Sequence, residues 1–188
     1  MSRFRSRRLV PGLLLGAALS LGAAVPALAA DTVTQTLTPG NRTASVANLD
    51  LPGIAYSHAL QTSTGTMTLS ADDSTGSGAG WNVTVLSSAF VYSGVNSGTD
   101  IPAANFSLTS AATPTLVAGQ AVDGTGGPKV PTVSPVASLD SARKVVQANA
   151  AFGQGNYSED LGVALAIPAD TRAGTYTGTL TTTISSAP

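Results

Sequence analysis

One histidine, ten acidic residues, nine basic residues and no cysteine make up the reactive inventory of this 188-residue chain. Without cysteine there is no thiolate nucleophile, no disulfide framework and no thiolate metal site. A Ser–His–Asp relay or a histidine zinc site would rest on His58 alone, which stands beside Tyr56 with no histidine or carboxylate at ligand spacing along the chain. It reads as a surface or packing histidine. Asp72-Asp73 open the Gly-rich run Asp72–Gly78. Calcium loops alternate their oxygen ligands about a central glycine and close on a distal glutamate, so these two are expected to be solvated turn acids. Glu159-Asp160 are the other adjacent acids, and nothing places a second carboxylate across a cleft from them, as glycoside hydrolysis requires. Gly153-Gln154-Gly155 lacks the third glycine and the strand-to-helix context of a nucleotide loop and reads as a turn. Asn41, Asn82, Asn105 and Asn156 each head an N-x-S/T triplet, little more than a Ser/Thr-rich chain produces by chance. No catalytic residue, metal site or cofactor is assigned.

Trp81 is the residue with most to offer a ligand, because it is the sole tryptophan in a chain only 5% aromatic. An indole can order a sandwich core by burying a large apolar area, or it can stack on a sugar ring. Core packing is the preferred role, and both hold if one edge of the ring reaches the surface.

The elements that would carry these residues are strands. Trp81-Asn82-Val83-Thr84-Val85-Leu86 alternates, placing Trp81, Val83 and Val85 on one face. Thr66–Ser70, the pair Phe106 and Leu108, and Leu161, Val163, Leu165 and Ile167 repeat that period of two. Thr32–Thr38 and Thr175–Ile184 are strand-like as well, and Ala142–Ala151 is read as a strand in preference to a short helix. Gly, Pro, Asn and Asp clusters separate these runs. Residues 112–136, with four prolines and four glycines, are expected to form a long surface loop. The fold class that follows is all-β: a single antiparallel β-sandwich of Greek-key or immunoglobulin-like type over residues 31–188, with little helix.

Residues 1–30 are expected to be a cleaved signal peptide. Met1–Arg8 holds four arginines and no acid, Leu9–Val25 is apolar, and Ala27-Leu28-Ala29 supplies an A-x-A site. The apolar run is interrupted by Pro11, Gly12, Gly16 and Gly22, which argues against a retained anchor. Ser6–Val10 half-resembles a twin-arginine motif, but Pro11 breaks it and favours the general export route. All ten acids lie after residue 30, against only Arg42, Lys129, Arg143, Lys144 and Arg172 among the bases, so residues 31–188 carry a net charge of −5. That balance, with charged residues at only 10% of the chain, excludes a nucleic-acid partner. No second long apolar segment follows, so no membrane span is expected after signal removal.

Gly80-Trp81-Asn82-Val83-Thr84-Val85, following an acidic Gly-rich turn, resembles the first Trp-x-Leu motif of the WxL surface domain. Ile101–Phe106 is similar to a downstream segment of that family, and Ile167–Thr181 with the Ala187-Pro188 ending looks like its closing block. Val83 stands where the first motif has Leu, and Thr182 where the second has Trp. The resemblance implies a bacterial, exported, cell-surface module associated non-covalently with peptidoglycan, with Trp81, Asn82 and Val83 as carried-over binding residues. The leading expectation is therefore a secreted, non-enzymatic domain whose partner is wall polymer or another surface protein. The alternative is a coat or pilin-like subunit assembling through strand edges. A secreted hydrolase comes third, with no constellation to support it.

Overall fold

The computed structural model describes residues 33–186; the expected signal peptide, Asp31, Thr32 and the Ala187-Pro188 ending lie outside the described residues. Eleven strands run in the order β1 (Arg42–Val46), β2 (Gln61–Asp73), β3 (Trp81–Ser87), β4 (Val91–Ser93), β5 (Phe106–Ala111), β6 (Thr115–Gly119), β7 (Ala137–Ser138), β8 (Arg143–Ala148), β9 (Gly155–Ile167), β10 (Thr175–Thr177) and β11 (Leu180–Ser186). Among the described residues the only helical element is the 3₁₀ turn Ala103–Asn105. Every strand pair is antiparallel. The larger sheet has the order β1-β2-β9-β5-β7 with β6 also on β9, the second is β11-β3-β8, and β10 pairs β4 in a short ribbon.

The long strands β2 and β9 pair along their whole length, from Gln61↔Ile167 to Asp73↔Gly155. Alternation sends Met67, Leu69 and Ala71 of β2 and Tyr157, Leu161, Val163 and Leu165 of β9 inward, where they meet Trp81, Val83 and Val85 of β3 in one core cluster. Two facing sheets around a single core make the all-β sandwich that alternation predicts.

Four local expectations are corrected. The Thr-rich run up to Thr38 is not a strand; residues 33–41 are irregular and the first strand begins at Arg42. The outer edge of β2 is taken by Arg42–Val46, registered Arg42↔Asp73 and tied by an Arg42 Nη2–Asp73 Oδ2 ion pair of 2.9 Å. Asp72 and Asp73 accordingly end β2 rather than form a turn, and Asp73 is buried. Residues 112–136 are not all loop: Thr115–Gly119 forms β6. β5 leaves β9 at Ala111↔Leu161, and β6 takes up the free edge at Ser158–Gly155, where thirteen-residue β9 would otherwise hold unpaired backbone. The last strand is broken into β10 and β11 at Gly178-Thr179, because the chain changes sheet there. A Cβ on Gly178 would lie about 3.0 Å from the Phe90 ring, so the crossing passes close against that side chain.

Candidate functional site

The first candidate site is the Trp81–Val83 segment that opens β3. Its indole is wholly buried, tilted 42° to the Tyr157 ring at a centroid distance of 6.2 Å. Nε1–H donates to the Gly153 carbonyl at 2.8 Å, satisfying the one polar atom the ring buries. Gly153 is left-handed (φ 75°), and a Cβ there would lie 2.8 Å from the indole nitrogen. The Gly153–Gly155 turn is thus the lid of the tryptophan socket. Val83 is fully buried beside it, and Asn82 is half-buried on the opposite face of β3, paired across the strands with Ser185 and Gln147. The three motif residues therefore do not share one surface.

The tyrosine–histidine pair has a partner that local spacing does not reveal. Asp170 Oδ1 accepts from the Tyr56 hydroxyl at 2.9 Å and lies 2.5 Å from His58 Nδ1. Asp170 is left-handed (φ 59°), and its N–H donates to the Ser57 carbonyl at 3.0 Å. A strained non-glycine backbone persists only where its surroundings fix it; here the side chain and main chain together tie the 49–57 strap to the β9–β10 turn. The Asp170 hydrogen bond holds the Tyr56 hydroxyl above its ordinary pKa. The cluster is solvent-exposed, and among the described residues no hydroxyl occupies the other imidazole nitrogen. Its geometry is that of a clasp.

That strap roofs a groove of about 540 Å³. Phe90, Ile101 and Leu165 line its apolar floor, and Tyr56, Arg172 and Tyr176 line its sides. Leu49 and Leu51 anchor the strap by packing over Gly65 of β2, where an added Cβ would come within 3.0 Å of both leucines. Leu49 and Phe90 also line a second, neighbouring cleft of about 510 Å³, bounded by Phe106, Leu180 and half-buried Thr182. The ribbon wall is braced by Tyr92 and Tyr176, whose ring centroids are 5.3 Å apart, and by hydrogen bonds from the Tyr92 hydroxyl to Ala173 and from the Tyr176 hydroxyl to Arg172.

The adjacent acids separate by face. Asp160 points outward and accepts from Thr68 Oγ1 at 2.9 Å. Glu159 points inward, only 3% exposed, and neither carboxyl oxygen has a hydrogen-bond partner. Burial pushes its pKa up to about 8. For Asp73, burial raises the pKa, but the Arg42 guanidinium and the Thr75 hydroxyl and amide outweigh it and hold the carboxyl below its ordinary value. Strand parity was the signal that could have marked Glu159, since it shares its face with Tyr157 and Leu161.

No curated protein and no solved structure matches the chain. Among the described residues no group of three or more metal-ligating side chains gathers, and no helix is long and apolar enough to cross a membrane. A family profile described as "WxL domain surface cell wall-binding" matches residues 23–188. Nearly the whole sequence is covered, including Trp81 and the β10–β11 block, and the chain belongs to the WxL domain family of cell-surface, wall-binding modules.

Proposed function

We propose that the protein is exported, loses residues 1–30, and acts outside the cell as a non-enzymatic module that attaches non-covalently to peptidoglycan. The observation that carries this reading is the wall-binding family match over residues 23–188. The fold accords with it: a rigid two-sheet core presents a strap, a turn and a short ribbon around an open groove, the arrangement expected of loops that recognise a ligand on a fixed scaffold. In this reading Trp81 and Val83 serve binding from inside, by ordering β3, and Asn82 is the motif residue nearest the outer surface. Co-sedimentation of the exported protein with purified peptidoglycan, stripped of wall proteins and anionic polymers, tests it. Recovery in the pellet supports the reading, and retention in the supernatant at all wall concentrations rejects it.

One observation favours a second reading, a surface subunit that assembles through strand edges. β6 is exposed along its whole length and carries Leu116 and Val117 beside an edge that, among the described residues, no strand pairs. Concentration-dependent polymers in the absence of wall would favour that assembly.

A further inference from the structure

Resting on the peptidoglycan reading above, we propose that the groove beneath the Leu49–Ser57 strap is the seat of the polymer, with Arg172 receiving a carboxylate of its peptide stem. The shape comes first. The 540 Å³ groove and the 510 Å³ cleft are neighbours that share Leu49–Leu51 and Phe90 in their linings, and two adjoining depressions suit a linear chain more than a compact small molecule.

The walls are suited to sugar and are already in place. Tyr56 is 57% exposed and its hydroxyl is fixed by Asp170, and Tyr176 is braced against Tyr92. Aromatic rings present an apolar surface to the C–H faces of pyranose rings, and rings held before binding lose little freedom on contact.

Charge selects among wall polymers. Of the basic residues after position 30, Arg42 donates to Asp73, Lys129 to Thr125 and Arg143 to Ser138. Lys144 is on β8, outside the groove lining, whereas Arg172 lines the groove and, among the described residues, its guanidinium donates to no protein oxygen. A guanidinium fork matches a carboxylate in geometry and charge. One cation, with Asp50 in the same lining and a net charge of −5 over residues 31–188, opposes a polyphosphate and fits a mainly neutral glycan bearing spaced carboxylates. The amide hydrogens of such a strand give Asp50 donors to accept.

The test uses the full chain and three probes: soluble peptidoglycan fragments, chitin oligomers that lack carboxylates, and purified teichoic polyphosphate. The parent protein is expected to bind the fragments best. Arg172→Gln removes the cation at an exposed position without touching the core. With melting temperature unchanged, it is expected to weaken fragment binding by about ten-fold or more, the scale of a hydrogen bond to a charged group, and to erase the preference for fragments over chitin. If the parent binds fragments and Arg172→Gln binds them equally well, the groove assignment falls and the peptidoglycan reading stands. If the parent prefers polyphosphate or binds no fragment, both fall.

Discussion

Glu159 lies directly across the strand pair from Leu69, so a carboxyl without a hydrogen-bond partner faces the sandwich interior beside an aliphatic side chain. The folded protein keeps this proton until pH nears 8, whereas the unfolded chain releases it near the ordinary value of 4.5. Between those values the unfolded state binds fewer protons, so stability falls as pH rises and levels off above the folded pKa. The span corresponds to roughly 4–5 kcal/mol at most. Urea unfolding at pH 5 and pH 8 should show the lower midpoint at pH 8. Glu159→Gln should flatten that slope, and an unchanged slope in the variant would refute the assignment.

Trp81→Ala should cost about 3–5 kcal/mol, the usual range for emptying a large aromatic socket. Because this is the chain's only tryptophan, its emission reports the socket directly. It should be blue-shifted in the native protein and move to the red on unfolding. Gly153→Ala should destabilise as well, since its Cβ would approach Ala148 Cβ to 2.4 Å with the backbone at φ 75°. A native emission already at the solvent-exposed position would contradict the buried indole.

Arg42→Met leaves the buried Asp73 carboxylate without its cation and should cost about 3–5 kcal/mol near neutrality. Asp73 is held below its ordinary pKa, so its contribution is present above the unfolded value of 3.8 and is lost as pH falls through the lower folded value. The penalty of the variant should therefore shrink in acid. Chemical denaturation of both proteins at pH 7 and pH 3 checks this.

Asp170→Gly removes the acceptor for Tyr56 and His58 while keeping a residue that tolerates φ 59°. These contacts are exposed and screened by solvent, so global stability should change little. The strap should nevertheless open more often, and amide exchange over residues 53–60 should accelerate while β2 and β9 stay protected. Equal exchange in both proteins would show that the clasp does not hold the strap.

Much of this fold was legible in the sequence because alternation reports burial on β2, β3, β5 and β9. Trp81, Val83 and Val85 occupy the shared inner face that their spacing implies. Ala142–Ala151 is less regular for a physical reason: a bulge opposite Val83/Thr84 turns both Val145 and Val146 inward, which breaks the period of two. Composition misled over residues 112–136, where prolines and glycines flank a five-residue strand that forms only because β9 is long enough to need it. The Tyr56–His58–Asp170 clasp was beyond local reading, because 112 residues separate His58 from Asp170. The groove was hidden for the same reason, being built from segments distant along the chain.

The missing side chain at Gly65 gives the strap a mechanical division of labour. Leu49 and Leu51 seat over Gly65, and the far end is moored at Ser57 by the backbone of Asp170. Between those moorings, Gly53 has no neighbour within 4 Å of an added Cβ, and Ile54 and Ala55 are exposed. A segment pinned at both ends and free in the middle can change length without disturbing either anchor, and doubling such a loop costs only about 0.6 kcal/mol in closure entropy. Gly53–Ala55 is therefore the natural splice point for a graft, where a display tag or an altered recognition loop would ride over the groove on an unaltered sandwich.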